Sequence, residues 1–284
     1  MGLHHVRAYA DLPNAKLIAV VDIDRPRADE TAKTFSCAAL YNAGDLIGRV
    51  DAVTIATPPE FHAAVSLPLL NAGIACLIEK PLALNEADCQ AIAAAAENSN
   101  ATVAVGHIER FNPAAQVLLA QGLASTSIYS ISVERLSPAA GRQVPVDVVS
   151  DMMIHDLDIV LTLKGADVVE VTASGVADSH ATATLRFADG TTATLVANRK
   201  ADHRHRELKF QANDVDYVLD FMSRSVTRAR QKLAVHEHDA LRAEIGDFLQ
   251  AAAAKTKPRV TLQQAFAAMR VVWRILNAMD KTAS

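Results

Sequence analysis

The sequence predicts an α/β chain of two domains: a parallel sheet wrapped by helices, then an α+β domain with a large, open, mainly antiparallel sheet. Three observations carry this prediction. Short apolar runs alternate with helical segments over the first hundred or so residues. After about residue 112 the pattern changes to strands joined by turns, with one apolar helix among them. Half of the 284 residues are hydrophobic and 21% are charged, which suits two folded cores rather than a disordered chain.

In the first domain, "AKLIAVVDID" (15–24) is an apolar run ending in acids, as a buried parallel strand does. "RPRADETAKTF" has helical composition. "VDAVTIATPP" (50–59) is a β-branched run stopped by Pro58 and Pro59. "EFHAAVSLPLLNAG" suits a helix closed by Gly73. "IACLIEKP" (74–81) is a strand ending at Pro81. "NEADCQAIAAAAENSN" is a helix with Asn85 as its N-cap, and "ATVAVGH" (101–107) is the next strand. Strands separated by helices of this length imply right-handed βαβ units.

In the second domain, "SIYSISVERLS" (127–137) alternates like a half-buried strand, and an apolar helix covers 147–163. "VVEVTASGVA" and "ATATLRFADGTTATLVANR" follow, the latter folding back at Asp189-Gly190, and then "ELKFQAN" and "VDYVLDF". Helices at 239–254 and 261–279 close the chain. The expected boundaries are 1–112 for the first domain and 113–284 for the second, which takes both closing helices.

Composition excludes several classes. A formal charge of −4 argues against a nucleic-acid binder driven by bulk charge. Cys37, Cys76 and Cys89 form no metal spacing and fit reduced thiols in a cytoplasm. No signal-peptide pattern and no long uncharged apolar run is present, so neither export nor a membrane span is expected.

Two features point to chemistry. In dinucleotide-binding folds, an acid at the tip of the second strand accepts hydrogen bonds from the adenosine ribose. Asp22 occupies that place, and its carboxylate disfavours the extra phosphate of NADP, while Arg25 and Arg27 nearby act the other way. The same rule sets a G-x-G-x-x-G turn roughly 20 residues earlier. Counting back reaches Gly2 and a helix-like segment, so Gly2 reads as the last glycine of that turn. The strand and first two glycines of the pattern are missing, and a start assigned at an internal methionine accounts for this. The expectation is a truncated sheet that binds the dinucleotide poorly as the chain stands.

The second feature is the helix at 147–163. Asp147, Asp151, His155, Asp158 and Thr162 recur at spacings of four, four, three and four, which puts them on one stripe of an otherwise apolar helix. Such a stripe faces a polar cavity or, in the alternative reading, solvent. A metal pair at Asp151 and His155 lacks further ligands, so no metal is expected.

With "VTIATPPEFHAAVSLPLLNAGIACLIEKPLA", "VGHIERFNPA" and "SDMMIHDLDI" in this order, the chain resembles the glucose–fructose oxidoreductase/inositol dehydrogenase/MocA (Gfo/Idh/MocA) family of NAD(P)-dependent dehydrogenases. The resemblance implies a Rossmann-type first domain, NAD as cofactor with NADP as the alternative, and a homo-oligomer, dimer or tetramer. It implies Lys80 as catalytic lysine, His155 as general base and Asp151 as its support or a sugar ligand. Gly2, Asp22, Thr57, Pro58, His62, Glu79, Lys80 and His107 are the expected cofactor-binding residues. Arg110, Asp151, His155, Arg135 and Arg142 are the expected substrate-binding residues, with Glu109 and Arg110 alternatively pairing with each other. The likeness is strongest to the nucleotide-sugar branch, which oxidises C3 of a UDP-N-acetylglucosamine-type sugar, as in lipid A biosynthesis. The alternatives are an inositol or free-sugar dehydrogenase of the same family, or a non-catalytic product.

Overall fold

A computed structural model describes residues 1–139 and 145–283, so Arg142 lies outside the described residues. In chain order the first elements are α1 (Gly2–Asp11), β1 (Ala19–Val21), α2 (Arg25–Phe35), β2 (Ala38–Leu40), β3 (Ala52–Ile55), α3 (His62–Asn71), β4 (Ala75–Glu79), α4 (Glu86–Ser99) and β5 (Val103–Gly106). Next come α5 (Pro113–Leu119), β6 (Ile128–Leu136), a π-helical turn (Val149–Met153) and α6 (Ile154–Lys164). Strands β7 (Val168–Val176), β8 (His180–Phe187), β9 (Thr192–Asn198), β10 (His205–Ala212), β11 (Val215–Asp220), β12 (Ser225–Arg228) and β13 (Gln231–Lys232) follow. Helices α7 (Ala240–Ala254) and α8 (Leu262–Ala283) close the chain.

Two compact units result: Met1–His107 with Asp239–Phe266, and Ile108–His238 with the chain from Ala267 onward. In the first unit all strand pairs are parallel, and they form two sheets, β1-β2 and β3-β4-β5. The break falls between β1 and β3, where the pattern of dinucleotide-binding sheets has its first strand. Strand β4 is buried along its whole length and carries the core of the larger sheet. Asn85 caps α4 as expected, accepting a 2.9 Å hydrogen bond from Asp88 N.

Helix α7 departs from the expected boundaries, because it belongs to the first unit. Its Ile245 and Phe248 are fully buried in one cluster with Ala8 of α1, Ala75 and Leu77 of β4, and Ala104 of β5. Burying each of these two side chains stabilises the unit by about 1.5–3 kcal/mol. Arg242 of α7 also pairs with Asp11 of α1. The apolar stripe of α7 needs an apolar face, and the β4–β5 face supplies it, so chain order is a poor guide to domain membership here.

The second unit is built on an eight-stranded sheet ordered β13-β12-β11-β10-β6-β9-β8-β7. Strands β6 and β9 run parallel; every other pair is antiparallel. Ile131, Val133 and Arg135 of β6 point inward with Leu195 and Ala197 of β9 and Leu208 and Phe210 of β10. Ser130, Ser132, Glu134, Lys209 and Gln211 alternate outward and are exposed. The predicted turn at Asp189-Gly190 joins β8 to β9, with Gly190 at φ 85°, a left-handed conformation that glycine adopts without strain.

Lys164 ends α6 fully buried and ties the helix to that turn. Its Nζ donates to Ser125 O at 2.6 Å, Asp189 Oδ2 at 2.7 Å and Thr191 Oγ1 at 2.8 Å. The hydrogen bond from Lys164 holds the Asp189 carboxyl down at about 2.

Candidate active site

The first unit presents its polar residues at the carboxyl ends of its parallel strands, where open α/β sheets bind ligands. Strands β3, β4 and β5 end in register, Ile55 beside Ile78 and Glu79 beside Gly106. The residues just past these ends are Thr57 and Pro58, Lys80, and His107. Thr57 and Pro58 are exposed, Lys80 is half-buried and His107 is buried.

Glu79 is nearly buried and holds rather than reaches outward. Its Oε1 lies 2.7 Å from His5 Nε2 of α1, and its Oε2 accepts the Lys80 N–H at 3.2 Å. Gly106 makes this possible: a Cβ there would stand 2.9 Å from Glu79 Oε2. Glu79 is thus tied to α1 and to the Lys80 main chain. His62 is enclosed in the same way. It is 1% exposed, with Nδ1 at 3.0 Å from Pro81 O and Nε2 at 3.0 Å from Thr57 O, so both ring nitrogens face main-chain oxygens.

Gly2 opens α1, and nothing lies within 4 Å of the place a Cβ would take. No acidic side chain stands in the first turn. A helix start accepts an anion such as a pyrophosphate, and here the His4 N–H already donates to Met1 O at 2.8 Å. Asp22, just past β1, is clasped by Arg27, whose Nε and Nη2 donate to Oδ2 at 2.6 Å and Oδ1 at 2.8 Å. That bidentate contact holds the Asp22 carboxyl below the usual carboxylate range. Arg25 instead stacks over the Tyr41 ring at 4.5 Å. The helix start at Gly2 and the acid past β1 fit the two ends of a dinucleotide's binding pattern.

Replacing Asp22 with Ser frees Arg27 and removes a negative charge from the ribose side. The expected result is a rise of about tenfold in KM for NAD, the loss of roughly one charge-assisted hydrogen bond, and a fall in KM for NADP. Initial rates with each cofactor measure it; unchanged values for both would remove Asp22 from the cofactor site.

In the second unit the π-turn and α6 carry the stripe. From Val148 to Val160 every residue is buried except Asp151 and His155. These two reach accessible space while their neighbours pack. Arg199, past the end of β9, comes within 3.4 Å of Asp151 through its Nη2. The stripe does not extend as a simple line. Asp158 is buried and takes Arg110 Nε at 2.8 Å.

Asp156, off the predicted stripe, is the stronger anchor. Arg135 grips it bidentately, Nε to Oδ2 at 2.8 Å and Nη2 to Oδ1 at 2.7 Å, and donates Nη1 to Glu109 Oε1 at 3.0 Å. Burial alone disfavours the Arg135 charge, but Asp156 and Glu109 hold its pKa above the ordinary arginine value. Arg135 is 2% exposed with each guanidinium nitrogen in a hydrogen bond, so it serves the framework. Arg110 is 4% exposed, its Nε on Asp158 and its buried Nη2 without a partner among the described residues. Glu109 pairs with Arg135 rather than with Arg110.

Comparison with known proteins agrees with both halves. Residues 1–107 match the oxidoreductase family with an NAD-binding Rossmann fold, and residues 135–213 match the Gfo/Idh/MocA C-terminal domain. The chain is similar to UDP-N-acetylglucosamine 3-dehydrogenase of Acidithiobacillus ferrooxidans, 35% identical over 273 residues that cover 89% of this chain and 86% of that protein. A solved structure of the enzyme of that name from the same organism superposes with a TM-score of 0.94 at 33% identity, covering 99% of this chain and 95% of that one. Inositol 2-dehydrogenase 1 of Saccharopolyspora erythraea is 31% identical over 198 residues, 66% of this chain and 58% of that protein. The chain belongs to the Gfo/Idh/MocA family of oxidoreductases, and its residues 1–107 are that family's NAD-binding Rossmann domain.

Proposed function

We propose that the protein is an NAD-linked sugar dehydrogenase that oxidises C3 of a UDP-N-acetylglucosamine-type nucleotide sugar to the ketone. One observation carries the substrate assignment. Similarity to the Acidithiobacillus enzyme spans 89% of the chain, whereas similarity to the Saccharopolyspora inositol dehydrogenase spans 66%.

NAD, when bound, supplies the hydride acceptor. Gly2 and the first-turn amides of α1 would hold its pyrophosphate and Asp22 its adenosine ribose, with Thr57, Pro58 and His107 at the neighbouring strand ends. The Lys80 ammonium stabilises alkoxide character on the substrate oxygen as its proton leaves. His155 takes that proton on a ring nitrogen, which leaves the alcohol oxidised by two electrons once the hydride has gone. Asp151 accepts a hydrogen bond from a sugar hydroxyl or steadies the imidazole. Arg199 beside it, and Arg142, supply cationic charge for the diphosphate. The same reading places the protein in the cytoplasm as a homo-oligomer; three free cysteines suit the reducing compartment.

Parallel assays with NAD and UDP-N-acetylglucosamine, UDP-glucose or myo-inositol test the proposal, with NADH absorbance and the product mass as readouts. A kcat/KM for UDP-N-acetylglucosamine at least about tenfold above that for myo-inositol is expected, a margin of roughly 1.4 kcal/mol. Turnover of myo-inositol alone overturns the substrate, and no NAD reduction with any of them overturns the dehydrogenase.

A further inference from the structure

We propose that His62 is a positioning residue for Lys80, its imidazole anchoring the Pro81–Leu82 backbone from behind and so fixing where the lysine side chain begins. The proposal rests on the reading of Lys80 as the group that stabilises the substrate oxygen. His62 is the first residue of α3, and its ring lies between two strand-end loops. Nδ1 stands 3.0 Å from Pro81 O and 3.2 Å from Leu82 O, and Nε2 stands 3.0 Å from Thr57 O.

The chemistry of the ring limits what it can do. A neutral imidazole donates from one nitrogen only. Burial pushes the His62 pKa below the ordinary histidine value, against the pull of the three carbonyls and of the Glu79 carboxylate. One N–H therefore serves the site, and Nδ1–H meets two acceptors where Nε2–H meets one. The lysine's other flank is already held, since its N–H donates to Glu79 Oε2, and Glu79 is in turn bound to His5. His62 supplies the matching grip after the lysine. The ring touches neither solvent nor any open cleft, so packing alone would be served by an apolar side chain. A buried N–H facing two main-chain oxygens, Pro81 O and Leu82 O, is an anchor.

Two amide variants separate the contacts. In His62→Asn the side-chain NH2 takes the place of Nδ1 and keeps the Pro81–Leu82 contact. In His62→Gln it reaches the place of Nε2 and keeps Thr57 instead. On whichever sugar the wild type oxidises, His62→Asn is expected to keep kcat within about threefold, and His62→Gln to lose about 10–100-fold in kcat with KM for NAD little changed. Lys80→Met is run beside them and is expected to lose at least as much as His62→Gln.

Wild-type kcat in folded His62→Gln, with Lys80→Met inactive, overturns the positioning role alone. Wild-type kcat in Lys80→Met, or a wild type that oxidises no sugar tested, overturns the reading of Lys80 and this proposal with it. Equal losses of Tm in both amide variants without a kcat difference show a merely structural histidine and also overturn it. Should His62→Gln fail to fold, His62→Leu, which fills the space without a donor, decides: a loss of about 10–100-fold in kcat in the folded variant supports the anchor, and wild-type kcat overturns it.

Discussion

Replacing His155 with Ala lowers kcat for sugar oxidation by about 10²–10⁴-fold, the usual worth of a positioned general base. KM for the sugar changes far less, because the histidine acts on the proton that leaves in the transition state rather than on bound substrate. The side chain is one of only two that leave the packed segment from Val148 to Val160, so its removal costs little stability. A neutral imidazole is the form that accepts a proton. The base must be unprotonated to act, so the wild-type rate has an acid limb that the alanine variant lacks. Steady-state rates across pH on both proteins measure it. Wild-type kcat in the variant would remove His155 from the mechanism.

The regular spacing of Asp147, Asp151, His155, Asp158 and Thr162 marks four half-buried positions, Asp147, Asp151, His155 and Thr162, and one buried position, Asp158. It assumes a straight α-helix, whereas a π-turn at Val149–Met153 inserts a residue into the ladder ahead of His155. Asp158 then faces Arg110 and not a cavity.

Asp156 went unread because it is one acid on an apolar face, yet its partner was visible. Strand β6 alternates, and Arg135 falls on the inward phase with Ile131 and Val133. A guanidinium pointing into a core needs a carboxylate, which makes Arg135 a framework residue rather than a substrate ligand.

The strands legible in advance are those with apolar runs or alternation. Strands β2, β12 and β13, with three, four and two residues, are too short for alternation to show, and β2 and β13 carry no β-branched or aromatic residue. Helix α5 is a seven-residue segment after Asn112, its N-cap, and gives too short a period to read. At the strand ends, Lys80 and Asp22 were legible because position past a parallel strand is itself the signal. The His5–Glu79 contact joins residues 74 apart and has no local trace.

Replacing Arg135 with Met leaves Asp156 buried and its carboxylate without the bidentate partner, and it strips Glu109 of one contact. Breaking a buried pair from one side costs about 3–5 kcal/mol. For a protein of this size that lowers Tm by about 6–20 °C. The sign of the pH dependence follows from Asp156. Burial already holds its folded-state pKa above the ordinary carboxylate value against the pull of Arg135, and losing the arginine raises it further. Its contribution is then intact only below the unfolded carboxylate pKa and is lost as pH rises through the raised one. The Tm deficit is thus smaller at mildly acid pH than at neutral pH. Adding Asp156→Leu to Arg135→Met removes both charges, and Glu109 keeps Asn112 as a donor at 3.1 Å, so the double variant recovers much of the loss. Scanning calorimetry of the three proteins at two pH values checks each step. A single variant as stable as wild type would mean that the pair does not hold α6 in place. An equal deficit in single and double variants would assign the loss to the packing of the arginine stem instead.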